Sequence, residues 1–239
     1  MPKPLKEWKV LPHDPVREIE DGILTVTGEI GMPLAHLQRR MTIVRLRDKR
    51  LVVYSAIALD EDEMAFLESY GTPAFLIVPS DMHRMDARIW KERYPSIQVI
   101  APEGAREKVE EVVPVDTTSP DFGDPDVSFV PVAGVEGHEA ALVVQTARGT
   151  TLIVNDLVGN IRDAHGLGGW ILEKAGFAGE EPQVPRVVKK KIVEDEAALA
   201  AQLRRWAELP SLARIIVSHG EMIESDPRGT LRGLARSLH

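Results

Sequence analysis

His138, Asp156 and His219 each stand where an apolar, β-type run meets polar residues, in the stretches VEGHEAALVV, TLIVNDLVGN and ARIIVSHGEM. Neutral imidazole nitrogens and an anionic carboxylate oxygen suit a divalent ion, so a shared position at one sheet edge would make a metal site. The chemistry of such a site is the activation of water for hydrolysis. Two of them also have an ordinary reading. Asp156 is a favoured residue for capping the helix or turn that follows, and His138, in Gly137-His138, is a loop histidine. His219 precedes Gly220, which lets the chain turn sharply and the ring project from the C-terminal end of its strand, where α/β sheets gather ligands.

The elements that must position these residues alternate. Short strands are expected from Arg17 to Leu46, with Gly22 and Gly31 as turn residues between Ile23–Val26 and Thr42–Leu46, and Asp48-Lys49-Arg50 turns the chain back into Leu51–Tyr54. Asp60 caps a helix with Glu63 at the capping-box position and Met64 and Leu67 on one face, ending at Gly71. Ala74–Val78 is a strand, ARIWKERYP a helix, QVIA a strand and PEGAREKVEE a helix. After TTSPDFGDPD come the strands VSFVPV, AALVVQT and TTLIVND, the last two joined at Ala147 to Gly149. An amphipathic helix over Asp195–Leu209 carries Leu199, Leu203 and Trp206, and leads to the strand Arg214–Val217 and a helix from about Pro227 to Leu238. Helices packed on sheets, an α/β fold in one domain over residues 1–239, is the simplest organisation.

Composition removes several functions. There is no cysteine, so disulfides, thiolate catalysis and Cys-type zinc sites are excluded. A net charge of −8 argues against a nucleic-acid surface, and the one basic cluster, Lys189-Lys190-Lys191 between Val187-Val188 and Ile192-Val193, reads as a solvated strand end. The start, MPKPLKEWKVLPHDP, lacks the apolar core of a signal peptide and no stretch has the length of a membrane span, which makes the cytoplasm the expected location. No G-x-S-x-G elbow is present. Gly166-Leu167-Gly168-Gly169 is incomplete as a phosphate loop and is expected to be a flexible loop before the helix Trp170–Ala175, part of a lid, with Asp163 and His165 beside it.

Order and spacing carry a resemblance to the metallo-β-lactamase superfamily over nearly the whole chain. Gly137-His138-Glu139-Ala140-Ala141-Leu142-Val143 resembles its GHTxGS-type turn and strand, Leu152-Ile153-Val154-Asn155-Asp156-Leu157 its FxGD strand, and Ile215-Ile216-Val217-Ser218-His219-Gly220 its VxPGHG strand. RMTIVRLRDKRLVVYSAIALDEDEMAFLESYG with FLIVPSDMHRMDARIWKERYP is similar to an uncharacterised subgroup whose HxHxDH motif is degraded. The resemblance implies a four-layer αββα sandwich. Counting back from the helix RIWKERYP, Pro79 and Asp81 align with the motif's first two histidines, His83 with its aspartate and Arg84 with its third histidine. A second register takes Asp81, His83 and Asp86 as a DxHxMD motif, at the expense of a deletion.

In the first register one metal position keeps only His138 and Asp81, and the other keeps His83, Asp156 and His219. This implies one divalent ion, Zn, Mn or Fe, with an open place for water, and hydrolysis of a small-molecule substrate. Asp156 would position the water or act as base, and Arg84, a fixed cation, would repel a second metal and steady an anion. The alternative is a metal-free binding or scaffolding module on the same fold, with His138, Asp156 and His219 as a hydrogen-bonded polar cluster.

Overall fold

A computed structural model describes residues 3–32, 35–162 and 166–238. Asp163 and His165 lie outside the described residues. The chain groups into two compact units, Met1–Ile30 with Gln38–Pro125 and Gly31–Leu37 with Asp126–His239.

The first unit is built on a six-stranded sheet in the order β1 (Arg17–Glu20), β2 (Ile23–Met32), β3 (Ala35–Arg45), β4 (Arg50–Tyr54), β5 (Thr72–Ile77) and β6 (Gln98–Ile100). β3 and β4 form the expected hairpin, with Lys49 at φ 66° in its turn, while β4, β5 and β6 run parallel. Parallel neighbours need a crossover, and α1 (Glu61–Tyr70) and α2 (Ala87–Arg93) supply it. Alternate residues Leu24 and Val26, Met41 and Ile43, Leu51 and Val53 face one core with Met64, Leu67, Ile89 and Trp90. Each such side chain contributes about 1.5–3 kcal/mol of burial. Gly71 ends α1 where a Cβ would meet the Lys49 carbonyl oxygen at 2.4 Å, so the close approach of helix end and hairpin requires glycine. A short 3₁₀ turn and α3 (Arg106–Glu110) complete the unit.

Two expectations change here. Gly31 lies within β2 and is not a turn residue, because the strand runs on to Met32. Asp60 does cap α1, its Oδ1 accepting from Glu63 N at 3.0 Å, but Glu63 does not return the bond; its Oε1 accepts from Val16 N at 2.8 Å and ties the N-terminal segment to the helix.

The second unit has a four-stranded sheet in the order β10, β9, β8, β7. β8 (Ala140–Thr146) runs antiparallel to both its neighbours, β7 (Val127–Pro131) and β9 (Gly149–Asn160), and β10 (Leu212–Gly220) runs parallel to β9. Between β9 and β10 lie α4 (Gly166–Ala175), α5 (Arg186–Ile192) and α6 (Glu196–Ala207), and α7 (Pro227–Arg236) closes the chain. Leu199, Leu203 and Trp206 of α6 and Leu231 and Leu234 of α7 pack with Leu152, Val154, Ile215 and Val217. The face predicted for α6 is the buried one.

Two further readings are corrected. Lys189-Lys190-Lys191 belongs to a helix, α5, not to a strand end: Val188 is buried, Val187 is exposed, and Lys189 pairs with Glu196 at 2.8 Å. Gly166-Leu167-Gly168-Gly169 is the first turn of α4, not a loop before it. No described helix is long and apolar enough to cross a membrane.

Candidate metal centre

The seam between β9 and β10 changes register at the residues of interest. Val217 pairs with Val154 and His219 with Gly159, so Asn155 to Val158 bulge opposite Ser218. A bulge re-aims side chains without ending the strand. Asp156 is therefore an in-strand residue; β9 continues to Asn160, and the reading of Asp156 as the cap of a following helix or turn is overturned.

Two consecutive polar pairs cross this seam. Ser218 Oγ donates to Asn155 Oδ1 at 2.8 Å, and His219 Nε2 lies 2.8 Å from Asp156 Oδ1. All four residues are buried, with Asp156 5% and His219 2% exposed. Buried polar groups demand partners, and these find them across the strands. Gly220 follows at φ 102°, where a Cβ would lie 2.1 Å from the Asn160 carbonyl oxygen; only glycine fits this turn out of β10. The ring of Phe177 stands edge-on to the His219 ring, centroids 5.3 Å apart at 79°. Ile161 N donates to Phe177 O at 3.2 Å, which fixes that loop against the end of β9.

Glu139 was not among the expected site residues. It is fully buried, and its Oε1 accepts from Leu157 N at 3.0 Å, so it holds the bulge one residue beyond Asp156. The signal in the sequence was a carboxylate directly before the wholly apolar AALVV, with no lysine or arginine near it. His138, beside it, is half-buried in the turn before β8, where its N–H donates to Val135 O at 2.8 Å and Gly137 has φ 72°. Among the described residues His138 joins no group of three metal-capable side chains.

In the first unit His83 sits in the loop after β5. Its Nδ1 is 2.7 Å from Ser55 Oγ, and Ser55, 4% exposed, is held at φ 57° just past the end of β4. A hydroxyl on one ring nitrogen fixes the orientation of the other, as in many metal-ligating histidines. Asp81 is half-buried in the same loop and joins no three-member group among the described residues.

Asp86 has a structural role. Its Oδ2 takes Arg39 Nη1 in a buried ion pair and its Oδ1 accepts from Ala58 N at 3.0 Å. The register that enlists Asp86 as a ligand loses support accordingly. Arg84 donates from Nη1 to Lys108 O and to Glu111 Oε2, the latter at 2.7 Å. Hydrogen bonds from Lys108 and then Arg84 hold the Glu111 carboxyl below its usual range. The guanidinium is thus engaged at the end of α3, and an anion would have to displace these contacts.

No protein-family model matches the sequence, and a search of curated proteins finds no significant match. Solved structures do match. DIM-1 metallo-β-lactamase exposed to ceftazidime aligns at a TM-score of 0.64 with 13% identity over 97% of this chain and 100% of that one. FIM-1 from Pseudomonas aeruginosa, in its mono-zinc form, aligns at 0.60 with 14% identity over 94% and 96%. A metallo-β-lactamase from Erythrobacter litoralis with β-mercaptoethanol in the active site aligns at 0.62 with 13% identity over 93% and 96%. At such identities the likeness is one of backbone, and the chain has the fold of the metallo-β-lactamase superfamily.

Proposed function

We propose that the protein is a metal-dependent hydrolase acting on a small-molecule substrate with one divalent ion, zinc before manganese or iron. The observation that carries this reading is the buried Asp156–His219 pair, 2.8 Å apart on neighbouring parallel strands. Two ligands on one tetrahedral zinc lie about 3.3 Å apart. Exchanging a shared proton for an ion therefore asks this pair to part by about half an ångström. The motif resemblance adds His83 as third ligand, its ring already oriented by Ser55. The FIM-1 structure, which shares this fold, is of a mono-zinc form, and that supports the one-ion reading.

An ion held there would supply Lewis acidity to a water and to the bond under attack. The chain's own part is to hold the ligands still: Glu139 fixes the backbone beyond Asp156, and Phe177 walls the His219 ring. Asp156 is the group in this pair able to orient a water and accept its proton. Arg84 takes no part in this scheme while Glu111 and the Lys108 carbonyl occupy it.

The direct histidine–aspartate bond also favours a second reading, a metal-free module in which the pair simply satisfies itself. Metal analysis of protein purified without chelator separates the two. The hydrolase reading expects close to one equivalent in the parent at this site and its loss in His219→Ala; the same metal content in both assigns the fold to a binding role.

A further inference from the structure

The N-terminal segment is laid along the first unit by specific contacts. Trp8 Nε1 donates to Leu59 O at 2.9 Å and its ring packs 5.7 Å from that of Trp90. Asp14 N donates to Thr27 O at 2.7 Å, and Pro12 O accepts from Glu29 N at 3.1 Å. Between these lies His13, whose side chain is only 8% exposed and faces the head of α1. One ligand atom each of His13, Asp60 and Glu63 fall within 4.8 Å of one another.

Each of these residues has one polar atom committed to the backbone. Asp60 Oδ1 accepts from Glu63 N, Glu63 Oε1 from Val16 N, and His13 Nδ1 donates to Asp14 O at 2.9 Å. The two carboxylate bonds leave the second oxygen of Asp60 and of Glu63 for a ligand and aim it, as outer-sphere partners do in metal sites. The remaining atoms are not accounted for by the fold. Glu63 Oε2 is buried and accepts no hydrogen bond from any described residue, a costly state for a carboxylate oxygen. It lies 3.4 Å from His13 Nδ1, against about 3.3 Å for the edge of a zinc tetrahedron with bonds of about 2.0–2.1 Å.

We infer that His13, Asp60 and Glu63 form a zinc-binding clasp, separate from Asp156 and His219, that fastens the N-terminal segment to α1. One imidazole and two carboxylates are a zinc-type donor set, with water in the fourth place. The ion takes the position of the His13 Nδ1 proton, which moves to Nε2 as the ring gives up its bond to Asp14 O, and Glu63 Oε2 becomes its neighbouring ligand. Asp60, the exposed corner, swings its second oxygen inward while the first keeps the cap. The role is structural.

Native mass spectrometry of the chelator-stripped, full-length protein titrated with zinc chloride tests this. His13→Gln and Asp60→Asn each lower the bound zinc by one equivalent and leave intact any equivalent that His219→Ala removes. The two sites therefore fail or stand independently. Asparagine is as good a cap as aspartate, so Asp60→Asn keeps the helix start. Parent stoichiometry in Asp60→Asn overturns the clasp. Limited proteolysis gives the second readout: zinc slows cleavage within residues 5–16 of the parent and not of His13→Gln, and equal cleavage with and without zinc in the parent overturns it too.

Discussion

Glu139 Oε1 accepts the Leu157 amide at 3.0 Å, so a wholly buried carboxylate grips the backbone one residue past Asp156. Glu139→Ala leaves that amide without its acceptor in the interior, which costs about 1–3 kcal/mol, and a cavity adds to it. Glu139→Gln retains an oxygen for the bond. Urea unfolding is expected to show a loss of about 2 kcal/mol or more for alanine and a clearly smaller one for glutamine. Equal losses would mean that the Leu157 bond is not what Glu139 contributes.

The buried pair of Arg39 and Asp86 gives a second expectation. Removing the carboxylate alone strands a guanidinium that is 6% exposed, and Asp86→Ala is expected to lose about 3–5 kcal/mol. Removing both charges by Arg39→Met with Asp86→Leu recovers most of this, because desolvation of the pair offsets its attraction. Chemical unfolding of the parent, single and double variants measures the coupling. A double variant as unstable as Asp86→Ala would show that the Ala58 amide, not Arg39, is the partner whose loss matters.

Alkaline pH tests the packing around α2. Burial first, and then the hydrogen bond from Tyr94 Oη to Glu68 Oε1 at 2.6 Å, push the Tyr94 phenol up to about 12. An unfolded phenol titrates near 10. The folded state therefore keeps a proton that the unfolded state has lost, and stability falls as pH rises from about 10 to about 12. The difference in melting temperature between parent and Tyr94→Phe should shrink or reverse across that interval. A difference that stays constant from pH 9 to pH 12 would contradict the assignment.

The sequence displayed its elements better than their contacts. Short apolar runs marked β4, β5 and β8, and the Asp60 cap of α1 and the apolar stripe of α6 marked those helices, because those signals are local. α5 was hidden by its β-branched ends, Val187-Val188 and Ile192-Val193, which fit a strand until Val188 finds a core beneath a helix. Three glycines among four residues, Gly166, Gly168 and Gly169, open α4 against their propensity, which is why that stretch reads as a loop. At the candidate site, the types of Asp156 and His219 and their meeting at one sheet edge were legible, and the geometry of their direct bond was not. It depends on a bulge that no local pattern encodes, and the supports from Glu139 and Phe177 are 18 residues from Leu157 and 42 residues from His219 along the chain.

That bulge has a thermodynamic consequence. Because β9 pairs with β10 on both sides of Asn155 to Val158, at Val154 and again at Gly159, the carboxylate of Asp156 is mounted at two points. Its ordering entropy is spent when the sheet forms, and a ligand arriving later meets a group already in place. Backbone amides flanking Asp156 should then exchange with deuterium only when the sheet itself opens, at the rate of the surrounding strands and not of a loop.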